Sequence, residues 1–269
     1  MSPESWAILV LIAYVLAGFA VVAWQSLQSP DGWKVWVIHA ITRFFTTMMC
    51  RQRIMQKCPF PAVGNGLVIA NHRSPVDPFL LCSASQEKLD GHCVRRLDFM
   101  TAREYVEMGG VVGLVCGIMG CIPVERDGKD MGPAKTALRR LKEGKLVGIF
   151  PEGRINMGEG LLPANTGIAW LALRSKAPVF PAFIHDAPYG TTMVNSFLKR
   201  TKSYVTYGDA IDLTDYYDLK PTPAILDEVT ELLMTHLGAL GGVKPTPRVR
   251  PERTNGVATN PQLATVGAE

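Results

Sequence analysis

Six short apolar runs punctuate the middle of this chain, and they constrain its fold more than any other feature. They are Gly66–Ala70 (GLVIA), Arg96–Met100 (RLDFM), Cys121–Val124 (CIPV), Leu146–Phe150 (LVGIF), Pro178–Ile184 (PVFPAFI) and Ser203–Gly208 (SYVTYG). Short, mostly apolar runs of this kind predict buried strands. Helical patterns separate them, near Pro75–Lys88, Met131–Glu143, Asn165–Ser175 and Pro221–Leu240. Strand–helix alternation predicts an α/β domain with a mostly parallel sheet flanked by helices. One further run, GGVVGLVCGIMGC, carries Gly109, Gly113 and Gly117 at intervals of four, a spacing that lets a helix approach a neighbour closely. It is too short to span a bilayer, so it predicts a buried helix against the sheet.

Ahead of this domain, Trp6–Trp24 is nineteen residues without a charge, and about twenty such residues span a hydrocarbon core as a helix. A signal peptide fits less well: Glu4 and no Lys or Arg precede the run, it is longer than a usual apolar region, and no clear A-x-A site follows. Residues 1–30 therefore read as an uncleaved membrane anchor. The basic flank of Lys34, Arg43, Arg51, Arg53 and Lys57 predicts that the rest of the chain is cytoplasmic. Residues 31–57 are apolar at Trp33, Val37, Ala40, Ile41, Phe44 and Met48, with His39, Thr42, Thr46 and Arg53 on the other side. Such an amphipathic helix lies in the membrane interface or packs its apolar face on the domain, and periodicity alone leaves both open. Residues 58–240 form the main domain. Residues 241–269 turn to Pro, Gly, Asn and Thr around Lys244, Arg248, Arg250 and Arg253, which predicts a disordered basic tail.

The composition, 47% hydrophobic and 19% charged over 269 residues, excludes a wholly disordered chain, a collagen-like repeat and a coiled coil. A multi-span transporter does not fit a chain with one long apolar segment. A net charge of +4 suits an acidic small substrate or an anionic membrane surface, and no nucleic acid partner is expected. The six cysteines form no C-x-x-C pair and read as reduced core thiols. The five histidines show no H-E-x-x-H or H-x-H spacing, so no metal is expected.

In parallel sheets functional groups gather at the carboxyl ends of the strands. Those ends are followed here by Asn71-His72, Arg103, Glu125-Arg126, Pro151-Glu152-Gly153-Arg154 and His185-Asp186. Ser74-Pro75-Val76-Asp77 reads locally as an ordinary helix start, which accounts for Ser, Pro and Asp but not for His72. A histidine at a strand end with a carboxylate one helix turn away can be a general base; from the pattern alone, a catalytic and a structural His72 stand equal. His185 reads as structural. No G-x-S-x-G elbow occurs, so a serine hydrolase of that type is disfavoured. No protein nucleophile is needed where the acceptor brings its own hydroxyl.

NHRSPVD (Asn71–Asp77), GCIPVERD (Gly120–Asp127), FPEGRI (Phe150–Ile155) and APVFPAFI (Ala177–Ile184), in this order, resemble the glycerophospholipid acyltransferase family, whose best-known members are the lysophosphatidic acid (1-acyl-glycerol-3-phosphate) acyltransferases. The resemblance implies that His72 is the general base and Asp77 its support. It implies that Arg126, Glu152 and Gly153 serve the acceptor's phosphate, with Arg154 and Arg103 as further candidates, and that Pro181 falls in an apolar fourth block. The implied reaction moves a fatty acyl group from acyl-CoA or acyl carrier protein to the hydroxyl of a lysophospholipid at the bilayer, without a bound cofactor. The family's third block usually continues F-P-E-G-T-R; here Arg154 stands in the Thr position and Ile155 in the Arg position. The F-P-E-G-R-I form also resembles members that act on other lysophospholipids.

Overall fold

The computed structural model describes residues 2–53, 55, 58–61, 63–85, 95–125 and 130–247. Its elements run α1 (Pro3–Leu27), α2 (Trp33–Met48), β1 (Gly66–Ala70), α3 (Asp77–Ala84), β2 (Leu97–Ala102), α4 (Arg103–Val106), α5 (Gly110–Ile118), β3 (Ile122–Val124), α6 (Gly132–Lys142), β4 (Leu146–Ile149), α7 (Gly167–Ser175), β5 (Val179–His185), α8 (Met193–Leu198), β6 (Tyr204–Tyr207) and α9 (Pro223–Gly241). All six apolar runs become strands of one sheet, ordered β3-β2-β4-β1-β5-β6. The first five strands are mutually parallel, and β6 lies antiparallel to β5. The α/β architecture thus matches the sequence reading, with one antiparallel edge.

Alternation along each strand builds two cores. Leu67, Ile69, Val147, Val179 and Phe183 point to α6, α7 and α9, while Val68, Ala70, Leu97, Phe180 and Ile184 point to α3 and Phe60. Because both faces are covered, the central strands carry no polar alternation. Local chemistry sets the helix ends: α9 starts with the Thr222 hydroxyl accepting from the Ile225 N–H and Pro223 in the first turn, and ends at left-handed Gly242.

The N-terminal elements bear on the reading left open. α1 is long and apolar enough to cross a membrane, and none of its most apolar window is buried. In α2 the polar side faces the protein: Val35, His39, Thr42 and Thr46 are buried, and the Thr46 hydroxyl donates to Ser83 Oγ at 2.7 Å. Ile41, Phe44 and Met48 point outward and are exposed. The helix is therefore inside-out relative to water, and its apolar face does not pack on the domain. Burial drives the His39 imidazole down to a pKa of about 3, helped by the Arg43 guanidinium.

α5 corrects an expectation. The helix forms, but Val111 is 76% and Leu114 62% exposed, and only Cys116 is buried. Its neighbours are chiefly α4, with α2 alongside, rather than the sheet. A Cβ at Gly117 would meet nothing within 4 Å, so that glycine serves no close approach. Beyond α9 the chain stays packed at first: the Thr246 N–H bonds the Leu161 carbonyl at 3.1 Å. Residues 248–269, most of the expected tail, lie outside the described residues, as do Lys57 and Arg126.

Candidate active site

β1 delivers its carboxyl end between the ends of β4 and β5. Asn71, fully buried, ties that end down: its side chain donates to the Ile184 carbonyl at 3.0 Å and accepts from the Ile184 N–H at 2.7 Å. His72 follows at the edge, its side chain 19% exposed, with Nδ1 2.9 Å from Asp77 Oδ2. The same oxygen accepts the Arg73 N–H (2.6 Å) and the Ser74 N–H (2.8 Å). Three donors on one oxygen make it an acceptor only, so Nδ1 carries the proton and Nε2 presents its lone pair. Burial pushes the Asp77 carboxyl above its usual range, against the lowering pull of His72 and the two N–H groups. The helix-start reading and the catalytic reading of this motif are not exclusive: Asp77 opens α3 and reaches back to the backbone ahead of it while it holds the imidazole.

Glu152 follows β4. Its carboxylate accepts the His72 N–H at 2.9 Å through Oε1 and the Leu162 N–H at 2.8 Å through Oε2. It is 7% exposed. The resemblance implied a role at the acceptor's phosphate; both its oxygens bind backbone, and what they hold is the loop carrying His72. The Asn156 N–H donates to the His72 carbonyl at 2.7 Å, so the histidine's backbone is gripped from both sides by the segment after β4. Arg73 donates to the carbonyls of Gly158 and of Gly160, the latter at 3.2 Å. Gly153 turns this segment at φ +68°, a left-handed conformation that glycine adopts without strain. Arg154, next along, is exposed and makes no ion pair among the described residues.

An aromatic stack underlies the imidazole. Phe150 lies on His72 at 4.2 Å and 15°, and on Phe99 at 5.6 Å and 7°. Phe99 fits only because its partner across β2–β4 is Gly148, where a Cβ would come within 2.6 Å of the ring. The sequence reading named Asn71 and Phe150 without giving either a role, and passed over Asn156; the one available signal was their position next to a strand end or to the F-P-E-G block.

The other candidates disperse. Arg103 ion-pairs with Glu107 (3.0 Å) and with Glu125, so its guanidinium is engaged by protein carboxylates. His185 stacks on Tyr204 at 4.2 Å, and its Nε2 lies 3.1 Å from Thr206 Oγ1. Burial lowers its pKa, in keeping with a structural role on the β5–β6 pair. Among the described residues no group of three His, Cys, Asp or Glu could hold a metal ion.

What remains is an aspartate-held imidazole at the edge of a parallel sheet, with no protein nucleophile beside it among the described residues. The chain is similar to known acyltransferases. The chain is 32% identical over 127 residues to "1-acyl-sn-glycerol-3-phosphate acyltransferase alpha" of Ovis aries, covering 45% of this chain and 40% of that protein. It is 32% identical over 111 residues to the 1-acyl-sn-glycerol-3-phosphate acyltransferase of Bacillus subtilis, covering 41% of this chain and 52% of that protein. The matched part thus spans about half or less of these curated relatives. The fold is that of the 1-acyl-sn-glycerophosphate (LPA) acyltransferase PlsC of Thermotoga maritima, with a TM-score of 0.58, 17% identity, and coverage of 87% of this chain and 92% of that one. The model of the family described as Acyltransferase matches residues 51–185, half of the chain and every motif around His72, and the protein belongs to that family.

Proposed function

We propose that this protein transfers a fatty acyl group from a thioester of coenzyme A or acyl carrier protein to the free hydroxyl of a lysophospholipid, with lysophosphatidic acid as acceptor and phosphatidic acid as product. The observation that carries the reading is the His72–Asp77 pair, 2.9 Å apart at the sheet edge. Nε2 takes the proton of the acceptor hydroxyl as its oxygen attacks the thioester carbonyl. The new C–O bond forms, the C–S bond breaks, and the imidazolium returns its proton to the departing thiolate. Asp77 holds the tautomer and stabilises the imidazolium in between. Glu152 and Asn156 keep the histidine's backbone in place, which makes them positioning residues. The names of the relatives supply the acceptor class, and a cationic side chain at Arg154, with Arg126 beyond the described residues, suits a phosphate.

A second acceptor is favoured by one observation. Arg154 stands where the family usually has Thr, and it is exposed, so a different lysophospholipid, or glycerol phosphate, fits the same chemistry. Purified full-length protein, given labelled acyl-CoA or acyl-ACP and a panel of lysolipids, separates these acceptors by product. In the same assay His72→Ala should lose at least the roughly 10²–10⁴-fold typical of acid–base catalysis. Full turnover by a folded His72→Ala protein would overturn the base assignment, whereas no turnover by the wild-type protein on any acceptor would leave a non-enzymatic lipid-binding protein as the reading.

The membrane supplies the acceptor. We place α1 across the bilayer, α2 in the interface with Ile41 and Phe44 among the lipids, and the catalytic domain on the cytoplasmic side. Release of the intact chain by carbonate would rule out the spanning anchor.

A further inference from the structure

Two segments far apart in the sequence run side by side just beyond α2. The Thr201 N–H bonds the Met49 carbonyl at 3.3 Å, the Ser203 N–H bonds Cys50 at 2.9 Å, and the Arg53 N–H bonds Ser203 at 3.0 Å. Arg53 and Tyr204 close the pairing as a parallel bridge. Side chains on this ribbon divide between the protein and the surface, with Arg51 standing at a left-handed φ of +42°. Cys50, Gln52 and Ser203 point in and are buried. Gln52 donates to the Leu80 carbonyl at 2.8 Å, and the Ser203 hydroxyl to the Asp186 carbonyl at 2.8 Å. Arg51, Arg53, Arg200 and Lys202 are left exposed. None of these four forms an ion pair among the described residues. Four like charges held together without partners call for an anionic surface.

The rim says which anion. At one side the ribbon meets the end of α2, where Phe44 is 70% exposed. At the other it meets α8, where Leu198 is 67% exposed. α8 is fixed to α2 and α3 by Phe197, which packs on Phe45 at 5.6 Å and on Phe79 at 5.3 Å. Cations rimmed by exposed apolar side chains, and continuous with the outer face of α2, match the headgroup and upper acyl layers of a bilayer. A nucleic acid would leave the apolar rim unrewarded.

We propose that Arg51, Arg53, Arg200 and Lys202, with the apolar ends of α2 and α8, form a docking surface for the phosphates of an anionic phospholipid leaflet. The inference rests on the membrane part of the proposed function and adds a contact from the ribbon that follows α2. Its consequence is orientation. Ser203 holds Asp186, the Ser74 hydroxyl bonds the Pro188 carbonyl, and Asp77 accepts the Ser74 N–H, so the ribbon is two short steps from the catalytic loop. Docking it seats the His72 edge against the leaflet that carries the acceptor.

Hydrogen–deuterium exchange on the full chain in nanodiscs tests this without relying on turnover. In discs containing phosphatidylglycerol, segments 49–53 and 199–204 should exchange at least about five-fold more slowly than in pure phosphatidylcholine, the scale of one Lys or Arg at an anionic surface. Arg200→Gln with Lys202→Gln should abolish the difference, whereas Arg139→Gln with Lys142→Gln on α6 should keep it. Added inorganic phosphate should not reproduce the protection in phosphatidylcholine discs. Equal exchange in both lipids, or persistence of the difference in the Arg200→Gln/Lys202→Gln protein, would overturn the docking surface. So would stronger protection by a duplex oligonucleotide than by phosphatidylglycerol, which would reassign the ribbon to nucleic acid. An acyl-transfer assay on the same samples reports the function separately, so either reading can fail alone.

Discussion

Glu152 separates a brace from a substrate ligand, and the two roles leave different marks. In Glu152→Gln the side chain keeps its shape, but one carboxylate oxygen becomes an NH₂ that faces a backbone N–H. One of the bonds to His72 and Leu162, at 2.9 and 2.8 Å, is lost, and the other falls from charge-assisted to neutral. Charge-assisted bonds contribute roughly 1.5–3 kcal/mol and neutral ones about 0.5–1.5, so the change should cost about 2–4 kcal/mol. For a domain of this size that lowers Tm by roughly 4–16 °C. The His72 backbone is among the groups released, so kcat should fall as the imidazole loses its register, while KM for the acceptor should change little. Thermal unfolding and initial rates on one preparation in detergent would measure both. An unchanged Tm with a large rise in acceptor KM would refute the brace and return Glu152 to the acceptor site.

Three further outcomes follow from the same geometry. Gly148→Ala drives a methyl into the Phe99 ring, where 2.6 Å is available, so it should cost about 1–3 kcal/mol and slow acyl transfer by tilting the Phe99–Phe150–His72 stack; an unaffected Tm would show that the stack yields freely. Arg154→Ala should lower kcat/KM for a phosphate-bearing acceptor by roughly 10- to 150-fold if one charge-assisted contact is lost, and equal rates on all lysolipids would place Arg154 outside the acceptor site. His39, with a pKa depressed from 6.5 to about 3, must stay neutral when folded. Its contribution is therefore complete above about 6.5 and is lost as the pH falls toward 3, at up to about 1.4 kcal/mol per pH unit; urea unfolding across that range should be steeper in the wild type than in His39→Gln, and parallel curves would refute it.

The sheet was legible because parallel strands buried on both faces are written as nearly unbroken apolar runs; all six runs were used, although β2 carries buried Asp98 and the antiparallel edge strand β6 alternates in burial. The His72–Asp77 pair was legible because both partners lie within one loop and one helix turn. Arg103 carried its own warning, since Glu107 stands four residues on, the spacing of a helical ion pair. Glu152 was located but its partner was not. A carboxylate that binds a backbone N–H eighty residues away leaves no mark on the partner's side chain, because every residue but proline carries the same donor. Phe150 escaped for a related reason: an aromatic residue at a strand end reads as core, and only the closed sheet sets it under the imidazole.

The inside-out helix exposes a sharper limit. Periodicity states that two faces of a helix differ; it does not state which face turns inward, because that depends on the solvent. In water, an α2 with Ile41, Phe44 and Met48 outward forfeits roughly 25 cal/mol for each Å² of apolar surface left wet, and docking by the opposite face would be preferred. The domain, however, offers α2 a polar partner in Ser83, fixed by Thr46 at 2.7 Å, and a dry seat that keeps His39 neutral. α5 has no polar face to turn inward; it buries Cys116 and leaves Val111 and Leu114 exposed. Two neighbouring helices that expose apolar side chains, next to an apolar α1 that the domain leaves uncovered, are individually unfavourable in water and mutually consistent in lipid. The bilayer placement proposed above would cover this apolar layer, and it is in that phase that the proposed lysophospholipid acceptor would be dissolved.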